Sequence, residues 1–183
     1  MHQNDILRKN LSEAFIAVLD ETFVNVQGVY LDKNTSLLET LETITAEEAS
    51  IPVSESGASI SGHIEHVRFY LSVIKDSMRG VEIGKIDWQL SWLVNSVTEA
   101  QWEELRKDLR KAYLEVRALI EGFENWEGEG DIWDSLAVIS HTSYHLGAIR
   151  PALFAVRTGS FHAKPETPSM HSLMTKSRNQ ICQ

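Results

Sequence analysis

Cysteine is nearly absent from this chain: the only one, Cys182, stands next to the end of a 183-residue sequence. A lone cysteine forms no internal disulfide, so the fold has to rest on its apolar core, which a chain of this length can build without staples. Long apolar runs are missing as well. No stretch nears the roughly 20 apolar residues that span a bilayer. Residues 1–10 carry charges at Asp5, Arg8 and Lys9 and lack the apolar segment of a signal peptide. A cytoplasmic address is the expectation. Positive charge is scarce, with 17 Lys and Arg against 26 Asp and Glu and a formal net charge of −9. Such a field repels phosphate backbones and anionic headgroups, which argues against nucleic acid and membrane as partners. Several catalytic signatures are also missing. There is no Gly-x-Gly-x-x-Gly, no phosphate-binding loop and no His-Glu-x-x-His, and Gly57-Ala58-Ser59-Ile60-Ser61 fails the Gly-x-Ser-x-Gly elbow at its last position.

What is present is helical periodicity, with no stretch alternating long enough to be a strand. Leu7, Leu11, Ala14, Phe15, Val18 and Leu19 predict a first long helix over about 5–23. A long connection follows. In it Ser36 with Glu39 and Thr45 with Glu48 have capping-box spacing and predict two short helical turns. The second long helix is expected over about 58–78, with Ile60, Val67, Tyr70, Leu71 and Ile74 inward. Gly80 and Gly84 end that segment, and Asp87-Trp88-Gln89-Leu90-Ser91-Trp92 leads to a third capping box, Thr98 with Gln101. The third long helix then buries Trp102, Leu105, Leu109, Tyr113, Val116, Ile120 and Phe123. Asp131 is expected to cap the fourth, whose inward face reads Ala137, Val138, His141, His145, Ala148, Ile149 and Ala152. Pro151 predicts a kink about one turn beyond His145. The expected fold is all-α, a four-helix bundle with a long connection between its first and second helices. Residues 1–160 would form one metal-binding domain. Residues 161–183 would form a polar tail, a surface strap or disordered, with Cys182 an inert thiol.

Histidine carries the chemistry. His141 and His145 are four residues apart, so on a helix both rings leave one face a turn apart, and they fall on the buried stripe. His63 does the same on the second long helix. Buried imidazoles need partners, and one divalent transition metal would satisfy three together. Core histidines bonded to carboxylates or carbonyls are the competing account. His66 lies three residues from His63, and helix register favours His63, in line with Ile60, Val67, Tyr70 and Ile74. His66 falls toward the edge with Ser59, Phe69 and Val73 and becomes a pocket residue. Asp134 is a candidate to orient a ligand ring, and Tyr70 or Tyr144 to supply a hydroxyl nearby. Three nitrogens leave a position for water or substrate, the arrangement of a catalytic site. Zinc, nickel, copper and ferrous iron all suit such a ligand set. The five tryptophans are expected in the core and at interfaces.

At this point the chain resembles the DinB and YfiT-like superfamily. The segments that carry the resemblance are Ile60-Ser61-Gly62-His63-Ile64-Glu65-His66-Val67-Arg68-Phe69-Tyr70-Leu71 and His141-Thr142-Ser143-Tyr144-His145-Leu146-Gly147-Ala148-Ile149-Arg150, with Tyr30-Leu31-Asp32, Asp87-Trp88 and Ser91-Trp92 in support. The resemblance implies a four-helix bundle in which His63, His141 and His145 bind nickel, zinc or iron, often in a homodimer. It further implies a small-molecule substrate, with thiol-dependent transferases using low-molecular-weight thiols such as bacillithiol or mycothiol among the relatives. His66 and the tail after Gly159 are less general features of that family. Three readings follow: a metal-dependent transferase or hydrolase, a non-catalytic metal-binding or stress-associated bundle, and an interaction protein with structural histidines.

Overall fold

Local signals set the helix boundaries. The computed structural model describes residues 3–52, 54, 57–123, 126–128 and 130–160, without the side chains of 3–5 and 7. The side chain of Leu7, Cys182 and the polar tail of 161–183 therefore lie outside what is described. Helices α1 (Gln3–Phe23), α2 (Leu37–Glu42), α3 (Ala46–Ala49) and α4 (Ile60–Met78) are followed by a 3-10 turn at Trp88–Trp92, then α5 (Glu99–Glu121) and α6 (Asp131–Thr158). No strand occurs among the described residues, and the class is all-α. Among them, too, no helix is long and apolar enough to cross a membrane.

All three capping boxes form where the spacing places them. Thr45 N–H donates to Glu48 Oε2 at 3.0 Å and Glu48 N–H to Thr45 Oγ1 at 3.1 Å. Thr98 and Gln101 repeat the exchange at 2.9 and 3.3 Å. Each box satisfies backbone donors that a helix start would otherwise leave without partners. Helix α4 begins at Ile60 because Ser59 caps it, its Oγ accepting from Gly62 N–H at 3.1 Å. The expectation that Asp131 caps α6 is corrected. Gly130 precedes the helix, Asp131 is its first residue, and its carboxylate accepts from Gly128 N–H at 2.9 Å in the preceding turn. Helix α6 continues through Pro151 to Thr158 and ends at Gly159, whose φ of 65° is the left-handed closing conformation.

The four long helices touch in a cycle, α4 against α5 and α6, and α1 against the same two. Between them lie Leu19 and Phe23 of α1, Ile60, Ile64, Val67 and Leu71 of α4, Trp102, Leu109, Val116 and Ile120 of α5, and Val138 and Ile149 of α6, all buried. Trp102 also donates its indole N–H to Ile44 O at 2.9 Å, tying α5 to the turn between α2 and α3.

The long connection after α1 is held by one buried carboxylate. Glu21 accepts from the backbone N–H groups of Gln27, Val29, Tyr30 and Leu31 at 2.6–2.9 Å, folding this turn, with Gly28 at φ 86°, back onto α1. Burial pushes the Glu21 carboxyl up, but the four amides outweigh it and lower its pKa to about 2. The fold of this turn places Tyr30 so that its hydroxyl meets Thr22 Oγ1 at 2.7 Å and Ser143 Oγ of α6 at 3.0 Å.

Candidate metal centre

Helices α4 and α6 face each other, and four imidazoles meet between them. The ring centroids of His141 and His145 are 4.6 Å apart, and His66 lies 5.0 Å from the first and 4.9 Å from the second. One nitrogen from each of His66, His141 and His145 lies within 4.8 Å of the others, near enough for modest ring rotations to bring all three onto one ion. His63 sits beside this group. Its Nδ1 is 2.9 Å from His145 Nδ1, with either ring able to donate, and its ring lies 5.2 Å from that of His145.

Helix register favours His63 for the set; the rings that converge as three are those of His66, His141 and His145. The physical reason lies outside α4. His66 is on the flank of that helix, yet it is buried while His63 is half-buried. What covers it is the Trp-rich turn. Trp92 stacks on the His66 ring at 4.1 Å and 17°, and Ser91 Oγ meets His66 Nδ1 at 2.6 Å. That turn can lie close because α4 has glycine at 62, where an added Cβ would stand 3.0 Å from Val94 O.

The other expected neighbours are placed as follows. Tyr70 stacks flat on His141 at 3.8 Å and 14°. Tyr144 is exposed, with only its ring edge against His145 at 5.2 Å. Asp134 is buried and makes no side-chain hydrogen bond to any of the rings; its Oδ2 has no partner among the described residues, and its charge helps burial raise the Tyr70 pKa. Tyr30 and Ser143 are neighbours that helical periodicity does not reveal. Their contact depends on the turn held by Glu21.

Electrostatically the cluster is a set of neutral bases. Burial lowers the pKa of all four rings, and the neighbouring imidazoles lower those of His63, His141 and His145 further, to about 4 for His141 and about 3 for His145. Neutral imidazole is the metal-binding form. His141 Nε2 is buried without a hydrogen-bond partner among the described residues. An orphaned ring nitrogen costs desolvation energy that nothing offsets. The donor set fits one divalent transition metal of the zinc, nickel or iron class. No family model matches the chain, and neither a curated protein nor a solved structure matches it.

Proposed function

We propose that this chain is a DinB-like four-helix bundle that binds one divalent transition metal through His66, His141 and His145 and acts as a metal-dependent transferase or hydrolase. A low-molecular-weight thiol is the substrate class. The observation that carries the reading is the buried, unpartnered Nε2 of His141, on a ring that meets two other neutral imidazoles. A coordinated ion would supply the partner that no described residue gives that nitrogen. Held by three imidazoles, the ion would supply an open position where a water or thiol loses its proton more easily. The chain's own residues do the rest. Tyr70 and Trp92 fix the planes of His141 and His66 by stacking, and the Glu21 turn brings the Tyr30 hydroxyl to Ser143 on the same stretch of α6.

One observation favours the second reading, a non-catalytic metal-binding bundle. The same stacks lay flat aromatic rings against two of the three ligands, which narrows access to the site. Elemental analysis of the untagged protein tests the site. About one equivalent of metal, lost in His66→Ala, His141→Ala and His145→Ala, is the expected result; a folded wild type that takes up no zinc, nickel or iron overturns it. Thiol titration of the cobalt-loaded protein separates the two readings. A sulfur-to-cobalt charge-transfer band supports the enzyme, and an unchanged spectrum supports the closed site.

The same reading makes the chain a homodimer, with the outer face of α6 as the interface. Trp133, Leu136, Tyr144 and Phe154 are 75, 49, 73 and 67% exposed. Arg150 is the one charge on the exposed face between Ile132 and Phe154. The three aromatic rings alone present roughly 400 Å², about half of the ~800 Å² that each partner of a stable complex buries. The stripe also matches itself. A two-fold axis crossing α6 between Ser143 and Tyr144 sets Trp133 opposite Phe154, Leu136 opposite Pro151 and Ser140 opposite Gly147 of a second copy, large against large and small against small.

A further inference from the structure

The hydrogen bonds around Ser91 form a chain whose direction can be read from proton count. Ser91 is fully buried in the 3-10 turn, and its Oγ has two close partners: Trp88 O at 2.7 Å and His66 Nδ1 at 2.6 Å. A serine hydroxyl has one proton. The Trp88 carbonyl can only accept, so that proton goes to Trp88 O; pointing it at His66 would leave two oxygens 2.7 Å apart with no hydrogen between them. The bond to His66 must then run the other way, with Nδ1–H donating to Ser91 Oγ. A neutral imidazole has one ring proton, so His66 Nε2 is left with its lone pair.

We infer that Ser91 is a positioning residue that locks His66 in the tautomer with Nδ1 protonated and Nε2 bare, as a ligand of the ion. This inference rests on the metal-site reading for its function, but the tautomer itself does not depend on a bound ion. The turn is built for the task. Asp87 caps it through Gln89 N–H at 3.1 Å, Trp92 stacks on the ring Ser91 orients, and Gly62 lets the backbone at Val94 approach α4. Metal-binding histidines are commonly held through the other ring nitrogen by a carboxylate or carbonyl. Here a hydroxyl relays the bond to a carbonyl three residues earlier in the same turn.

The test begins with metal-free wild type carrying ¹⁵N-labelled histidine, at about pH 8, above the ordinary histidine pKa of about 6.5. Two-bond ¹H–¹⁵N correlations are expected to show His66 with Nδ1 protonated and Nε2 bare. A protonated Nε2 overturns the inference without any variant. Ser91→Ala should release the ring to a tautomer mixture and weaken cobalt binding by about 10–100-fold, and Ser91→Thr, which keeps the hydroxyl, should restore both. An unchanged tautomer and unchanged affinity in a folded Ser91→Ala protein also overturn it. If wild type shows the expected tautomer and binds no metal, the metal-site reading fails and the role of Ser91 in presenting a ligand fails with it. If wild type binds metal while Nε2 is protonated in the free protein, the site stands and only the role of Ser91 falls.

Discussion

Helices α5 and α6 are near neighbours in length and opposite in design. Helix α5 buries Trp102, Leu105, Leu109, Tyr113, Val116 and Ile120 and turns Glu99, Glu103, Lys107, Asp108, Arg110 and Lys111 outward. Helix α6 buries Asp134, Ser135, Thr142 and His145 among its apolar residues and turns Trp133, Leu136, Tyr144 and Phe154 outward. The three buried side-chain atoms without partners among the described residues, Asp134 Oδ2, His141 Nε2 and Thr142 Oγ1, all belong to α6. A helix that hides polar groups and shows apolar ones works against its own folding, and such departures collect where a protein binds something. Helix α5 carries core packing, and α6 carries the residues of the proposed metal site and interface.

Removing a core side chain should separate the two helices most strongly. Trp102→Ala on α5 leaves a cavity and an unpaired Ile44 carbonyl and should cost about 3–5 kcal/mol in urea unfolding. A loss under about 1 kcal/mol would mean that α5 does not carry the core.

Acid should act most strongly through the two histidines of α6. The pKa values of His141 and His145 are depressed from 6.5 to about 4 and about 3, so as pH falls the unfolded rings take up protons before the folded ones. Their contribution to stability is complete above about pH 6.5 and is lost downward through 4 and 3. Metal-free wild type should therefore show a falling urea midpoint between about pH 6.5 and 4, and His145→Gln should flatten that limb. Glu21, lowered from 4.5 to about 2, adds a second loss that begins only near pH 4.5. An equal slope in His145→Gln and wild type would count against buried neutral rings.

Charge on the outer faces should sharpen the contrast. Leu136→Glu on α6 should raise the dissociation constant of the proposed dimer by roughly 30-fold, the equivalent of about 2 kcal/mol for an interface hot spot. Leu114→Glu, exposed on α5, should leave sedimentation unchanged. A wild type that sediments as a monomer at high concentration sinks the α6 interface.

A smaller effect has an unusual sign. Thr142→Val replaces a buried hydroxyl without a partner by a methyl of similar size and should stabilise the metal-free protein by about 1 kcal/mol. The exposed Lys107→Ala on α5, which removes a 3.7 Å pair with Glu103, should stay within about 0.5 kcal/mol of wild type.

Much of this was written locally. Thr45 with Glu48 and Thr98 with Gln101 need only three residues to recognise each other, and the α5 stripe needs only a helix and its period, so both could be read before any fold was known. His141 and His145 were legible for the same reason, because four residues along a helix put two rings on one face. Which of His63 and His66 converges with that pair was not. The cover that buries His66 comes from Ser91 and Trp92, about 25 residues away along the chain, and helix register contains no information about it. Glu21 escaped notice because its partners are four backbone amides, which have no residue type to betray them. The aromatic outer face of α6 was hidden in a pattern where apolar residues fall on every side.

By itself the sequence determined helix, cap and period, because those depend on contacts within a turn or two of chain. Only the tertiary structure decided which histidines converge and which apolar face stays bare, because each of these is settled by a surface supplied from elsewhere in the molecule.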